Sequence, residues 1–242
     1  MAKEKLIVAL DVDNQNRALD LVNELRGQVL FFKVGLELFY STGPGIIKEI
    51  TKTGAKVFLD LKLHDIPNTV GRAAGVLARY GASIINVHAA GGGDMMKAAR
   101  ESAAAEAQKH GLSMPMVVAV TVLTSIDRHA FNRELGLSGD IAHRVQTWAL
   151  LAKESGLDGV VCSPREITLV RQACGPGFKI ITPGIRPAGF ERGDQRRVMT
   201  PAEAVRAGAS HIVVGRPVTD ARDPAAAAVA IADDIKSVAV AE

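Results

Sequence analysis

Phe58-Leu59-Asp60-Leu61-Lys62-Leu63-His64-Asp65-Ile66-Pro67-Asn68-Thr69 reads as a β-strand that runs into the start of a helix. Strand side chains alternate between two faces, so Leu59, Leu61 and Leu63 share one face while Asp60, Lys62 and His64 share the other. Pro67 cannot continue a ladder, and Asp65 and Asn68 suit a helix entry, so the strand is expected to end near His64 with its charges at its C-terminal end. Packed aliphatics would stabilise a buried strand at least as well as ion pairs. A charged face here therefore points to catalysis, with a salt-bridge network across the barrel mouth as the plainer alternative.

The same local pattern recurs along the chain. Short apolar runs rich in β-branched residues fall at 6–10, 30–34, 57–61, 84–87, 116–120, 159–162, 179–182 and 211–214. Helical stretches are expected between and after them, at 16–26, 45–53, 67–80, 95–110, 140–155, 164–173, 201–207 and 224–238; Gly27, Gly54, Gly81, Gly111, Gly156 and Gly208 stand where a helix C-terminus favours glycine. Strand and helix alternate eight times with no linker, low-complexity segment or change of composition. The expected fold is α/β, a closed (β/α)8 TIM barrel forming one domain over residues 1–242, a length ordinary for that architecture. Hydrophobic residues make up 48% of the chain and aromatics only 4%, so its core must be built from Val, Ile, Leu and Ala.

Composition narrows the function as well. The net charge of +3 is spread among acids and not gathered into a basic block, which argues against a nucleic-acid partner. Cys162 and Cys174 match no zinc or redox spacing and read as small buried hydrophobes. The first residues lead into a short strand-like run with no signal-peptide core, and no apolar run approaches the ~20 residues of a membrane span. The expectation is a cytoplasmic enzyme that does not associate with membranes.

Barrel enzymes carry their chemistry at the C-terminal ends of the strands. Asp11 follows the first run, Lys33 lies late in the second, Asp60 and Lys62 close the third and His88 ends the fourth. Thr121 and Thr124 follow the fifth, Arg186 the seventh, and Gly215 and Arg216 the eighth. Lys62, with Asp60 on its own strand face and Asp65 just beyond, should keep its proton near neutral pH and act as an acid or electrostatic stabiliser. Lys33 extends the set to alternating charges. Gly215-Arg216 fits a phosphate site after the last strand, or else a turn glycine beside a solvated arginine. Residues 184–197 form a glycine-containing loop that reads as a lid bringing Gln195 or an arginine over the phosphate, with Arg192, Arg196 and Arg197 expected to be solvated. His64 and His88 are ligands, acids or hydrogen-bonded supporters, and neither is assigned a catalytic part.

Asp60-x-Lys62-x-x-Asp65 in this setting resembles the signature of the orotidine 5'-phosphate decarboxylase family in its bacterial form. The resemblance continues through Ala9-Leu10-Asp11, Phe32-Lys33-Val34-Gly35, Leu123-Thr124-Ser125, Thr182-Pro183-Gly184-Ile185-Arg186-Pro187 and Val214-Gly215-Arg216-Pro217. The Asp-x-Lys-x-x-Asp core alone also resembles hexulose-phosphate synthase and ketogulonate-phosphate decarboxylase, which hold Mg²⁺ with a strand-2 carboxylate. Lys33 stands in that place here and would repel a cation.

The resemblance implies decarboxylation of orotidine 5'-phosphate to UMP in pyrimidine biosynthesis, with no metal and no cofactor. By the same resemblance, Lys62 would stabilise and protonate the C6 carbanion, and Asp60 would lie beside the substrate carboxylate. Lys33 and Asp11 would hold the ribose, and Thr124 the pyrimidine edge. Gln195, Gly215 and Arg216 would hold the phosphate, with help from Arg186. Asp65, Ile66 and Thr69 would reach into the partner's site in a homodimer with shared active sites.

Overall fold

The computed structural model describes residues 2–187, 190 and 199–239. In chain order the elements are α1 (Ala2–Lys5), β1 (Leu6–Ala9), α2 (Gln15–Glu24), β2 (Phe31–Val34), α3 (Leu36–Thr42), α4 (Gly45–Lys52), β3 (Lys56–Leu63), α5 (Pro67–Arg79), β4 (Ile84–His88), α6 (Gly92–Lys109), β5 (Met116–Val120), α7 (Ile141–Glu154), β6 (Gly159–Val161), α8 (Ile167–Cys174), β7 (Lys179–Thr182), α9 (Pro201–Arg206), β8 (His211–Val214), α10 (Arg216–Thr219) and α11 (Pro224–Ala239). The strands are parallel and close on themselves in the order β1 to β8, so every expected strand takes its place in the expected barrel. No helix among the described residues is long and apolar enough to cross a membrane.

The differences are local. A short helical turn, α1, precedes β1 where the chain was expected to enter the strand directly. Helices α3 and α10 lie outside the expected helical stretches, because seven and four residues hold too few turns to display a period. The expected helix 164–173 divides into a 3-10 turn, Pro164–Glu166, followed by α8. Glycine stops work as expected: Gly54 and Gly81 both take φ 87°, a left-handed conformation that a side chain would strain.

Two cores follow from the period-two alternation of the strands. Outward residues such as Val8, Val57, Ile85 and Val87 join the helices in the larger core. Inward residues Ile7, Ala9, Phe31, Phe58, Ile84, Val118, Ile181 and Val213 fill the barrel. On five of the eight strands the next inward position, two residues further along, changes character. Ala9 is followed by Asp11, Phe31 by Lys33, Phe58 by Asp60, Ile84 by Asn86 and Val213 by Gly215. The apolar plug thus forms the floor on which a polar layer stands.

At the opposite end, His211 begins β8, its ring edge-on to Phe31 with centroids 5.4 Å apart and its Nδ1 buried with no hydrogen-bond partner among the described residues. Burial, with Lys179, Lys5 and Lys56 nearby, pushes the imidazole down to about 4. The unfolded ring takes a proton near 6.5, so the unfolded state binds more protons between the two values and stability falls as pH drops from 6.5 towards 4. The loss attributable to this ring is on the order of 3 kcal/mol. His211→Phe is expected to flatten that limb relative to wild type in urea unfolding from pH 7 to pH 4. Parallel curves for the two proteins would show that His211 does not titrate as described.

Candidate active site

Four charged side chains form a continuous line across the mouths of β1, β2 and β3. Lys33 Nζ lies 2.9 Å from Asp11 Oδ1 and 3.5 Å from Asp60 Oδ2, and Lys62 Nζ lies 2.8 Å from Asp60 Oδ1. The two central groups are the dry ones: the side chains of Lys33 and Asp60 are each 13% exposed, against 30% for Lys62 and 60% for Asp11. Burial alone would lower Lys33, but the Asp60 and Asp11 carboxylates outweigh it and hold the ammonium above the ordinary lysine value. Burial would raise Asp60, yet Lys33, Lys62 and hydrogen bonds from Lys62 and Asn86 hold its carboxyl below the usual range. Both groups are therefore ionised across the neutral range. Gly35 makes room for the line, since a Cβ there would stand 3.1 Å from Lys33 Nζ.

β3 keeps the expected alternation of its leucines but not an even register with β4. Leu59 pairs with Ile85 and Leu63 with Val87, so four steps along β3 match two along β4. The extra length is taken up around Lys62, which has φ 52° and is the one residue other than glycine at positive φ among the described residues. A lysine in that region costs roughly 1–2 kcal/mol relative to the right-handed one. Leu59, Leu61 and Leu63 still pack against the outer core, so the irregularity re-aims Lys62 without turning the strand over.

One residue that the sequence reading passed over secures this geometry. Asn86, fully buried on β4, donates from Nδ2 to Asp60 Oδ1 at 2.6 Å and accepts at Oδ1 from the backbone N–H of Lys62 at 2.8 Å. The signal was present: an amide stands in the apolar run Ile84-Ile85-Asn86-Val87, at an inward position.

Around the charged line is a cavity of about 300 Å³, lined by Lys33, Asp60, Lys62 and Thr124 with Val120, Val161 and Val213 among its apolar walls. A larger hollow of about 780 Å³ lies near α1 and α11, lined by Lys3, Lys5 and Lys236. Its size carries no chemistry comparable with the paired charges. Cys162 also borders the smaller cavity, but it is 2% exposed and burial pushes its thiol up, so it acts as the small hydrophobe expected. Thr121 is a strand tie, its hydroxyl donating to Val161 O at 3.0 Å.

His88 and His64 stand beside this cluster with ring centroids 5.3 Å apart. Burial, then His64 and Lys62, push His88 below the ordinary imidazole value and favour its neutral form.

On the far side of the mouth, Arg186 is 9% exposed and donates from Nη1 to Ile185 O at 3.0 Å. Its backbone N–H bonds Met199 O at 3.0 Å, tying the segment after β7 to the entry of α9. Burial first, and Arg216 second, lower its guanidinium from the usual value. Arg186 and Arg216 thus lie within each other's field and create a positive potential that suits an anion. Gly215 precedes α10, and its carbonyl accepts from the N–H groups of Val218 and Thr219. Gln195, Arg192, Arg196, Arg197 and most of the expected lid lie outside the described residues.

Asp65, Ile66 and Thr69 are exposed, with Ile66 at 65%, and Asp65 Oδ1 accepts from the Ile66 N–H at 2.6 Å. Asp65 makes no ion pair among the described residues, so the structure does not bring it to Lys62 within one chain. Of the twelve residues to which the family resemblance gives a part, Asp11, Lys33, Asp60 and Lys62 are joined directly. Thr124 shares their cavity.

The model of the Orotidine 5'-phosphate decarboxylase / HUMPS family matches residues 4–231. The orotidine 5'-phosphate decarboxylase of Moorella thermoacetica is 54% identical over 98% of this chain and 94% of its own length. That of Syntrophomonas wolfei is 49% identical over 97% and 99%. The crystal structure of orotidine 5'-phosphate decarboxylase from Lactobacillus acidophilus superposes with a TM-score of 0.86 at 43% identity, covering 96% of this chain and 99% of that one.

Proposed function

The chain belongs to the orotidine 5'-phosphate decarboxylase / HUMPS family of enzymes, and on that premise we propose that it converts orotidine 5'-phosphate to UMP without a metal or cofactor, as a cytoplasmic homodimer. The observation that carries this reading is the line Asp11–Lys33–Asp60–Lys62, dry in its middle and ending in a lysine at the edge of the cavity. In a site of low dielectric, a fixed ammonium acts strongly on negative charge that develops beside it.

The bond between C6 of the pyrimidine and its carboxylate breaks, CO₂ departs, and the electron pair remains on C6. Lys62 stabilises that carbanion and gives it a proton, leaving UMP and a neutral amine that solvent reprotonates. Asp60 lies beside the departing carboxylate and orients Lys62. Lys33 and Asp11 hold the ribose hydroxyls, Thr124 the pyrimidine edge, and Gly215, Arg216, Arg186 and Gln195 the phosphate. The Arg186–Arg216 approach supports that last assignment.

Lys33 argues for chemistry without a metal, because an ammonium held charged beside Asp60 opposes a divalent cation there. Loss of orotidine 5'-phosphate absorbance is expected to proceed at an unchanged rate in buffer treated with EDTA. A loss of rate that Mg²⁺ restores would move the reading to the sugar-phosphate chemistry of the same family.

A dimer with shared sites is supported by apolar side chains that a lone barrel leaves in water. Leu36 and Tyr40 on α3 are 43% and 78% exposed, and Ile66, on the neighbouring connection, is 65% exposed. Asp65 and Thr69 flank Ile66 and would enter the partner's cavity. The two buried thiols without a disulfide suit a reducing compartment.

A further inference from the structure

We propose that Asn86 is a positioning residue for this reaction, holding Lys62 in its left-handed conformation and Asp60 in line with it, so that ammonium and carboxylate meet at one point of the cavity. The inference rests on the function proposed above and concerns a residue that touches neither the phosphate nor the ribose side of the site.

Three observations converge on it. The register between β3 and β4 slips between Leu59 and Leu63, which removes the Lys62 N–H from the ladder. That N–H is satisfied by a side chain 24 residues away, Asn86 Oδ1. The other end of the same amide binds Asp60 Oδ1, the oxygen that also receives Lys62 Nζ. One fully buried amide thus grips the backbone of the proposed acid and the side chain of its partner.

An amide has one accepting end and one donating end, and here they cannot be exchanged: the acceptor must face an N–H and the donor a carboxylate. Serine or alanine loses one or both contacts. Aspartate preserves the shape but, when ionised, sets a second carboxylate against Asp60. When protonated it restores the pattern, its carbonyl accepting from Lys62 and its O–H donating to Asp60. The charged groups facing position 86 are Lys33 on β2, Asp60 and Lys62 on β3, and His88 on β4, while the paired β5 positions Val118 and Val120 add none. Lys33 and Lys62 lower the proton affinity of an aspartate at this position while Asp60 and burial raise it; in either balance its activity follows the protonated form and increases towards acid.

The test is steady-state decarboxylation of orotidine 5'-phosphate by wild type, Asn86→Ala and Asn86→Asp from pH 5 to pH 9, with thermal unfolding of each. Asn86→Ala is expected to lose roughly 10²-fold in kcat with KM within about threefold, the scale of a small misplacement of a reacting group. Asn86→Asp is expected to be worse than Asn86→Ala at the alkaline end of the range, where it is ionised, and to regain kcat as pH falls, a limb absent from the other two proteins. A packing role predicts the reverse order, since aspartate is the closer isostere. If Asn86→Ala fails to fold, the isosteric variant's acid recovery still decides the matter. Asn86→Asp as active as wild type at pH 9, more active there than Asn86→Ala, or without the acid limb would overturn the role of Asn86. A wild-type chain inactive on orotidine 5'-phosphate would overturn the function itself, and the role with it.

Discussion

Lys62→Ala is expected to lower the turnover of orotidine 5'-phosphate by roughly 10⁵-fold or more, equivalent to about 7 kcal/mol of transition-state stabilisation, while UMP affinity changes by less than about tenfold. The asymmetry follows from timing. Charge on C6 exists only during reaction, so a group that acts on it contributes little to holding the product. Collapse of the site is not the expected cause, because Asp60 keeps Lys33 and Asn86 when Lys62 is removed. The left-handed backbone at position 62 gives a control that separates conformation from chemistry. Lys62→Gly adopts φ 52° without strain and should fold at least as stably as Lys62→Ala, yet be equally inactive. Lys62→Arg keeps a positive charge that does not give up its proton at neutral pH, and it should also fail. Retention of more than a few per cent of wild-type activity by Lys62→Ala would remove Lys62 from the reaction.

The second large effect is a recovery. Asp65 is exposed and unpaired with Lys62 within one chain, whereas Asp60 meets Lys62 at 2.8 Å. If Asp65 serves the neighbouring subunit, Lys62→Ala and Asp65→Ala homodimers should each be nearly inactive, and mixing them under conditions of subunit exchange should restore activity. A mixed dimer carries both defects in one site and neither in the other. Equal amounts give about half mixed dimers, each with one working site of two, so activity should approach roughly a quarter of wild type, as a two-fold interface requires. Labelled subunits would establish exchange independently. Exchange without recovery would place Asp65 in the site of its own chain.

The charged line is a poor investment if stability were its purpose. Dry ion pairs lose much of their attraction to desolvation, and aliphatic side chains at the same inward positions would extend the core already built from Phe58, Ile84 and Val118. What the line provides instead is a set of fixed charges whose orientation is settled before substrate arrives. Breaking any one pair leaves neither of the dry central charges without a partner: Asp60 has Lys33, Lys62 and Asn86, and Lys33 has both Asp11 and Asp60.

Much of this site was legible in one dimension because the barrel repeats a local rule. Each strand begins as a short apolar run, most helices stop at a glycine, and each inward position beyond the core floor is read by counting two residues forward. That rule located Asp11, Lys33, Asp60 and Lys62 at one mouth. It requires no knowledge of which strand touches which, since parallel strands in sequential order all point their C-terminal ends the same way. The same rule reaches Asn86, two residues beyond Ile84, although an amide carries no charge to draw attention to it.

Other features depended on contacts between distant residues. The slip between β3 and β4, the left-handed Lys62 and the amide that bridges it to Asp60 involve partners 24 and 26 positions apart. The mutual repulsion of Arg186 and Arg216 links two strand ends separated by 30 positions in the chain. Periodicity places a side chain on a face because the backbone repeats. It is silent about an interruption of that repeat, since the energy that stabilises the interruption comes from another strand. The amino-acid order therefore determined the barrel and the identity of its charged layer, while the tertiary structure decided how Lys62 is aimed, because only closure of β3 against β4 brings Asn86 to its backbone.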